Sequence, residues 1–558
     1  MNDSVGNCGS KPFVSTPGAP WASALLREER HFGDRLLRCF AERPRHLPQM
    51  LQEAHARDPQ AAALADGARR WNWAALRDDS GRLAHTLAQL GVAAGDRVAL
   101  LLGNRAEFVI ATHAVLRLGA VLVPISIREA APGVAFVVNQ CRATAVLADA
   151  GLATLVPERL DDGQALQRIC VGEGAAAPDG WLSWHAMVAT QQGTPFEDAA
   201  PAEDDAAVIL YTSGTTGRPK GAVLTHLNLL HSVLHYRHAL GLRPDDRALL
   251  AVPASHVTGL VAIVLAMAGV GGAVVVLREF KAASCLAMIE REKVSYTLMV
   301  PAMYALCLLE PTWARTDLSG WRLAGFGGAP MPPATIDALR QHCTGIRLFN
   351  AYGATETTSP VTLTPPGAAP LDAVGVALPC ADLRVVDDDG HDLPAGQSGE
   401  IWIAGPMVVP RYWDNPQATA DGFVNGYWKS GDIGTLDANG FLRVHDRKKD
   451  MINRGGYKVF SVEVENCLLS HPAVREAATV GVPCPVLGER IHAFVHAPNI
   501  ASTAQLQAEL VALCRQQLAD YKTPDAWTWL DEPLPRNPNG KLLKRTLRDL
   551  AVASQKGA

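Results

Sequence analysis

The chain has no CxxC pair and no His/Cys cluster of metal-ligand spacing; its eleven cysteines scatter from Cys8 to Cys514. That excludes a structural zinc site and a disulfide framework, and a reducing cytoplasm is the expected compartment. A basic block is also missing. The formal net charge is only −5 over 558 residues, so nucleic acid is excluded as the main partner and small anions must be met by local groups. The N-terminus has no charged-then-apolar signal pattern. Met1–Pro20 is rich in Gly, Ser and Pro, and residues 1–45 are expected to form a largely disordered extension. One long uncharged run occurs, Gly259–Leu277, but Gly269, Gly271 and Gly272 interrupt it. It reads as a short buried helix followed by the strand Ala273–Leu277, and no transmembrane segment is expected.

What is present is an alternation of strand and helix signals. Leu76, Leu83, Leu87 and Leu90 share a helical face that stops at Gly91. Val98–Leu102 reads as a buried strand, Arg105–Leu118 as a helix ending at Gly119, and Ala120–Ile125 as the next strand. This βαβ pattern recurs around 206–240 and 273–300, which predicts parallel sheets with helices on both faces. Between Asp372 and Asp446 short alternating segments with turn signals, such as GEIWIAG, predict a small antiparallel β unit. From Met451 onward, Val474–Val482, Ile491–His496 and Ala504–Leu518 predict a compact α+β unit. The fold class is therefore α/β: a large domain (46–446) of parallel-rich subdomains plus a β unit, a charged seam (447–450) and a small mobile α+β domain (451–558). The length fits two to four such units.

The most informative segment is AAVILYTSGTTGRPKG, residues 206–221. An apolar run delivers a loop of Thr212, Ser213, Gly214, Thr215, Thr216 and Gly217 that ends at Lys220. Hydroxyls, accessible backbone N–H groups and one ammonium suit a polyphosphate. It is not a Walker A loop, because Pro219 precedes the lysine and Gly221 follows it where that motif has Ser or Thr. Other segments carry polar groups that a scaffold does not need. In NAYGATE (350–356), Tyr352 suits base stacking and Glu356 suits magnesium. In YWKSGDIG (427–434), Asp432 in a Ser-Gly turn suits a ribose, although an Asp in a turn is more often a backbone cap. GGAP (327–330) reads equally as a plain connection or a base-binding edge. PRNPNGKLLKR (535–545) presents Lys541 from a Pro/Asn/Gly loop.

YTSGTTGRPKG, YGATE, SGDIG, DRKKDMINRGGYK and NPNGK occur in the order and rough spacing of the AMP-forming acyl-CoA synthetases, the superfamily of firefly luciferase and peptide-synthetase adenylation domains. The chain resembles that family from about residue 46 to 550. The resemblance implies an ATP-dependent carboxylic acid:CoA ligase working through an acyl-AMP, with ATP, magnesium and coenzyme A. Thr212–Lys220 would hold the β- and γ-phosphates, with Thr216 and Glu356 placing magnesium. Tyr352, Gly353 and Thr355, with Gly328, Ala329 and Pro330, would surround the adenine end; Asp432 and Arg447 would bind the ribose. Lys541 would be the catalytic lysine, Lys449 the hinge, and Gly455 and Gly456 would line the pantetheine tunnel. His256 would gate that tunnel and the acid pocket, with Met303, Gly327 and Ala354 beside it.

Those pocket residues are apolar or small, which favours a medium- or long-chain fatty acid or an aromatic acid, in fatty-acid-type metabolism. Pro253, Ala254 and Ser255 replace the aspartate that amino-acid-specific members offer. An acyl-AMP ligase loading a carrier protein is the alternative within the superfamily, and a non-catalytic nucleotide-binding protein is the alternative of another class. Acid identity, oligomeric state and the role of residues 1–45 are left open by the sequence.

Overall fold

The computed structural model describes residues 21, 24–172, 177–190, 196–212, 219–329, 331–367, 369–498, 502–536 and 542–556. It is a mixed α/β protein. Apolar runs too short for helices and rich in Val, Leu and Ala form two buried sheets. One has seven strands in the order Lys220–Thr225, Ala206–Thr212, Val121–Pro124, Arg97–Leu101, Ala143–Asp149, Gln167–Val171 and Leu182–Ser183. Its pairings are parallel except for the first. The helix Ala106–Arg117 is buried over all twelve residues, as a helix apolar around most of its circumference must be. One apolar cluster joins Leu100, Leu122 and Val208 of this sheet to Ala248, Val274 and Tyr296 of the other.

The second sheet is parallel at one end and antiparallel at the other. The strand Arg347–Ala354 is where the character changes: it pairs in parallel with Leu323–Phe326 and antiparallel with Ser359–Leu363. The expected antiparallel β unit is thus continuous with a parallel sheet through the strand that carries Tyr352. Its further strands include Asp382–Val386, Ser398–Ala404, Tyr427–Leu436 and Phe441–Arg447.

Beyond Met451 lies a five-stranded sheet built around Gly488–His496, with the helices Ser461–Leu469, Thr503–Gln517 and Lys544–Lys556. It has its own apolar clusters, around Ile452, Leu468 and Leu510 and around Val480 and Leu547. The uncharged run folds as Thr258–Leu265, a π-helix, continuing as the α-helix Ala266–Val270 and the strand Ala273–Val276. No helix among the described residues is long and apolar enough to cross a membrane.

The N-terminal segment corrects one expectation. Leu26–His31 and Arg35–Phe40, placed by composition in a largely disordered extension, pair as an antiparallel hairpin. The reason is non-local. Arg43 is fully buried between Glu29 and Glu203, at 2.7 Å from each, and buried histidines of the helix His226–Leu240 accept backbone N–H groups: Phe40 donates to His231 and Leu47 to His226, both at 3.2 Å.

Candidate active site

The loop 212–220 connects two antiparallel strands, with Thr212 opposite Lys220 in register. It is a hairpin loop rather than a strand-to-helix connection, which separates it from a Walker A loop by topology as well as by sequence. Ser213, Gly214, Thr215, Thr216 and Gly217 lie outside the described residues, as do Pro330 and Lys541. At the returning end, the Lys220 ammonium sits over the ring of Tyr412, 5.3 Å from its centroid. The Tyr412 hydroxyl donates to Glu356 Oε1 at 2.9 Å.

Glu356 follows the strand Arg347–Ala354 in a tight turn whose geometry is expensive. A Cβ on Gly353 would stand 1.6 Å from the Ser359 carbonyl oxygen, so only glycine fits. Thr358 and Ser359 have φ of 51° and 96°, a conformation that costs a β-branched residue energy and persists only where surroundings impose it. The Thr357 hydroxyl helps impose it, accepting from Ala354 N–H at 2.8 Å and donating toward the Ser359 carbonyl at 3.0 Å. Glu356 is 9% exposed. Among the described residues no lysine or arginine pairs with it; its carboxylate meets only the Tyr412 phenol. A buried oxygen donor without a compensating cation fits a hard divalent ion such as magnesium.

Four residues upstream, Tyr352 donates to Asp432 Oδ2 at 2.7 Å. Arg447 Nε lies 2.7 Å from the other oxygen, Oδ1, and Asp432 and Arg447 face each other in register across adjacent strands. Burial, then the neighbouring Asp432 charge, pushes the Tyr352 phenol well above its ordinary range. Asp432 was expected in a tight turn. It lies instead within the strand Tyr427–Leu436, beside Gly431 at φ 68°; its N–H donates to Ser430 Oγ at 3.0 Å, and its carboxylate is turned to other strands instead of capping its own backbone.

Gly327, Gly328 and Ala329 end the strand Leu323–Phe326, whose Phe326 pairs with Asn350. A Cβ on Gly327 would come within 2.5 Å of the Ala351 carbonyl, so the turn lies directly against the strand bearing Tyr352. Thr355 opens the turn that carries Glu356. These residues form one neighbourhood, as do Lys220 and Glu356 through Tyr412. Tyr412 is the residue that sequence reasoning missed; it lies in RYWDNP, outside the segments singled out, where nothing along the chain ties it to Glu356 and Lys220.

His256 precedes the π-helix. Its Nδ1 accepts from Thr258 N–H at 3.3 Å and lies 3.2 Å from the Thr258 hydroxyl. The residue is exposed at the surface, and partial desolvation by the surrounding protein lowers its pKa. The loop carrying it is stapled by Asn104, whose amide donates to the Leu250, Val252 and Leu277 carbonyls at 3.0–3.2 Å and accepts from Ala254 N–H at 2.8 Å. Met303 is buried in the cluster that holds Met299 and Phe326, and Ala354 is half-buried at the end of the Tyr352 strand.

Lys449 lies in the turn after the strand Phe441–Arg447, and its carbonyl accepts from Arg548 at 3.3 Å. Gly455 and Gly456 form the turn between Ile452–Arg454 and Tyr457–Val459, at φ 59° and 86°. A Cβ on Gly456 would meet nothing within 4 Å. Positive φ at both centres of a two-residue hairpin accounts for these glycines locally. No described contact joins them to His256.

The arrangement defines an adenylate-forming enzyme. Residues 51–413 match the family model described as AMP-binding enzyme, and residues 463–541 match its C-terminal domain. The chain belongs to this family, the AMP-forming acyl-CoA synthetases. It is 35% identical over 494 residues to a feruloyl-CoA synthase of Amycolatopsis sp, covering 88% of this chain and 96% of that one. It is 32% identical over 512 residues to a long-chain-fatty-acid–CoA ligase of Mycobacterium tuberculosis, covering 90% and 98%. Among solved structures it resembles o-succinylbenzoate coenzyme A synthetase from Bacillus subtilis in complex with ATP and magnesium ion, with TM-score 0.78, 31% identity, and coverage of 90% of this chain and 99% of that one. The protein is an AMP-forming acyl-CoA ligase by family.

Proposed function

We propose that the protein joins an apolar carboxylic acid, aromatic or fatty, to coenzyme A through an acyl-AMP. The observation that carries this reading is that one short segment, Tyr352–Glu356, bonds at one end to Asp432 and at the other to Tyr412, whose ring lies beneath Lys220. A nucleotide laid along it meets a sugar-binding carboxylate at one end and a phosphate-binding cation at the other.

A carboxylate is a poor electrophile, because attack adds charge to an anion and expels a bad leaving group. In the first step the acid's oxygen attacks the α-phosphorus of ATP, and the bond to the β-phosphate breaks with loss of pyrophosphate. Thr212–Gly217 and Lys220 clamp the leaving pyrophosphate; Lys541 bridges the incoming carboxylate and the α-phosphate, acting by position and charge. Magnesium, held by Thr216 and Glu356, neutralises phosphate charge when bound. Asp432 and Arg447 take the ribose, while Tyr352 and the turn 328–330 enclose the base. In the second step the thiol of coenzyme A, losing its proton, attacks the acyl carbon and AMP leaves. Rotation at Lys449 withdraws Lys541 and brings Gly455 and Gly456 to the tunnel.

The acid is proposed as apolar because Met303, Gly327 and Ala354 offer no charge. The scattered cysteines, without a CxxC pair or a disulfide-like spacing, support work in the cytoplasm. Pyrophosphate exchange with a panel of aromatic and fatty acids tests the reading. Acid-dependent exchange followed by CoA-dependent thioester formation is expected; exchange with no acid would defeat it, and exchange without CoA-thioester would transfer the second step to a carrier protein.

A further inference from the structure

Residues 406–413 form a strap across the site. Asn228 donates to the Pro406 and Val408 carbonyls at 2.7 and 3.1 Å. Val409 N–H donates to the Glu356 carbonyl at 2.9 Å, Val223 N–H to the Arg411 carbonyl at 3.1 Å, and Trp413 N–H to the Gly221 carbonyl at 2.7 Å. The strap is therefore tied to both elements that carry site residues, the strand starting at Lys220 and the turn holding Glu356. From it a single side chain, Tyr412, reaches between the two.

A core tyrosine of this kind is most simply a packing residue: it is 7% exposed and its ring meets Phe423 edge-on, centroids 5.7 Å apart. Packing does not explain its two polar contacts. The phenol holds one oxygen of Glu356, and the ring face receives the Lys220 ammonium. A direct pair between a buried carboxylate and a lysine would have to be broken before either could meet a ligand. The ring keeps the two apart, satisfies one carboxylate oxygen and leaves the other for a metal. It also gives the ammonium a soft electrostatic seat that a phosphate can outcompete, since a cation over a tyrosine face is bound more weakly than one in a buried ion pair.

We propose that Tyr412 is a positioning residue of the adenylation step, a spacer that holds Glu356 and Lys220 aligned and mutually unpaired for magnesium and the phosphates. The inference rests on the functional reading above. Its test compares the full-length protein with Tyr412→Phe, which keeps the ring and loses the hydroxyl, and Tyr412→Leu, which loses both. ATP binding is measured by calorimetry at stepped magnesium concentrations, alongside acid-dependent pyrophosphate exchange. Tyr412→Phe is expected to raise the magnesium needed for half-maximal ATP binding roughly tenfold, the loss expected for a hydrogen bond to a charged group. ATP affinity without magnesium and the KM for the acid should stay within about twofold. Tyr412→Leu should in addition weaken metal-free ATP binding several-fold, as the ammonium loses its seat. An unmoved magnesium curve in Tyr412→Phe overturns the proposal, as does a rise in acid KM without such a shift. If the wild-type protein supports no exchange with any acid, the ligase reading falls, while the magnesium dependence of ATP binding still decides the role of Tyr412.

Discussion

Asp446, the penultimate residue of the strand Phe441–Arg447, accepts both the backbone N–H and the hydroxyl of Ser461, at 2.5 and 2.7 Å. Ser461 opens the helix Ser461–Leu469 on the far side of the proposed hinge. Lys544, three residues after Lys541 in the chain, donates to the same hydroxyl at 2.5 Å and pairs with Glu465 at 2.6 Å. The strand that carries Arg447 is thus linked, through Ser461, to the segment that follows Lys541, the proposed catalytic lysine.

Asp446→Ala would leave the buried N–H and hydroxyl of Ser461 short of their acceptor. A loss of about 1–3 kcal/mol of stability is expected, read as a lowered denaturant midpoint. A midpoint equal to wild type would show that the contact contributes nothing.

Tyr352→Phe removes the donor to Asp432 and leaves the ring. Because Asp432 would then hold the ribose with one support fewer, KM for ATP should rise roughly tenfold, the scale of one hydrogen bond to a charged group, with KM for the acid unchanged. Steady-state kinetics in each substrate separately decide this.

Stability should fall as pH is lowered from neutrality. Burial, first among the causes, holds His113, His226 and His231 to about 3, against about 6.5 in the unfolded chain. The unfolded state therefore binds protons that the native state refuses, starting below pH 6.5. Each histidine's contribution is complete above that pH and is lost at up to about 1.4 kcal/mol per pH unit, until the native groups titrate near pH 3. Denaturant midpoints between pH 7.5 and 5 measure the slope. His231→Gln, which can still accept from Phe40 N–H, should make it shallower; an identical slope would remove His231 as a contributor.

Lys541→Ala and Lys449→Pro should separate the two half-reactions. The first is expected to lower acid-dependent pyrophosphate exchange by about a thousandfold, the scale of removing one charge-stabilising group, and to spare thioester formation from supplied acyl-AMP. The second fixes a backbone angle at the hinge and should do the reverse. Equal loss of both steps in either variant contradicts a rotating C-terminal domain.

Much of the scaffold was legible because local pattern and tertiary outcome agree. The strand and helix signals at 98–125 and 474–518 correspond, within a few residues, to elements of the structure, since a buried strand must be apolar and a half-buried helix must be periodic. The glycine- and hydroxyl-rich loop and Glu356 stand out because their composition serves no packing purpose. Tyr412 was illegible for the opposite reason: a tyrosine between Arg411 and Trp413 carries no compositional signal of its own, and only its neighbours in space give its hydroxyl and ring face a task. The N-terminal hairpin was missed because its stability comes from residues some two hundred positions away, and Asp432 was misplaced because a Ser-Gly pair signals a turn as readily as a distorted strand.

By itself the sequence determined the class of chemistry through the order and spacing of five motifs, YTSGTTGRPKG, YGATE, SGDIG, DRKKDMINRGGYK and NPNGK, which together resemble one family while each alone leaves the chemistry open. Only the tertiary structure decided how their residues are held: that the loop spans a hairpin, that Asp432 is gripped by Tyr352 and Arg447, and that Lys220 and Glu356 are kept apart by a ring. Such relationships depend on distances of a few ångströms between residues far apart in the chain, and the order of residues along a backbone does not contain them until the sheets pair.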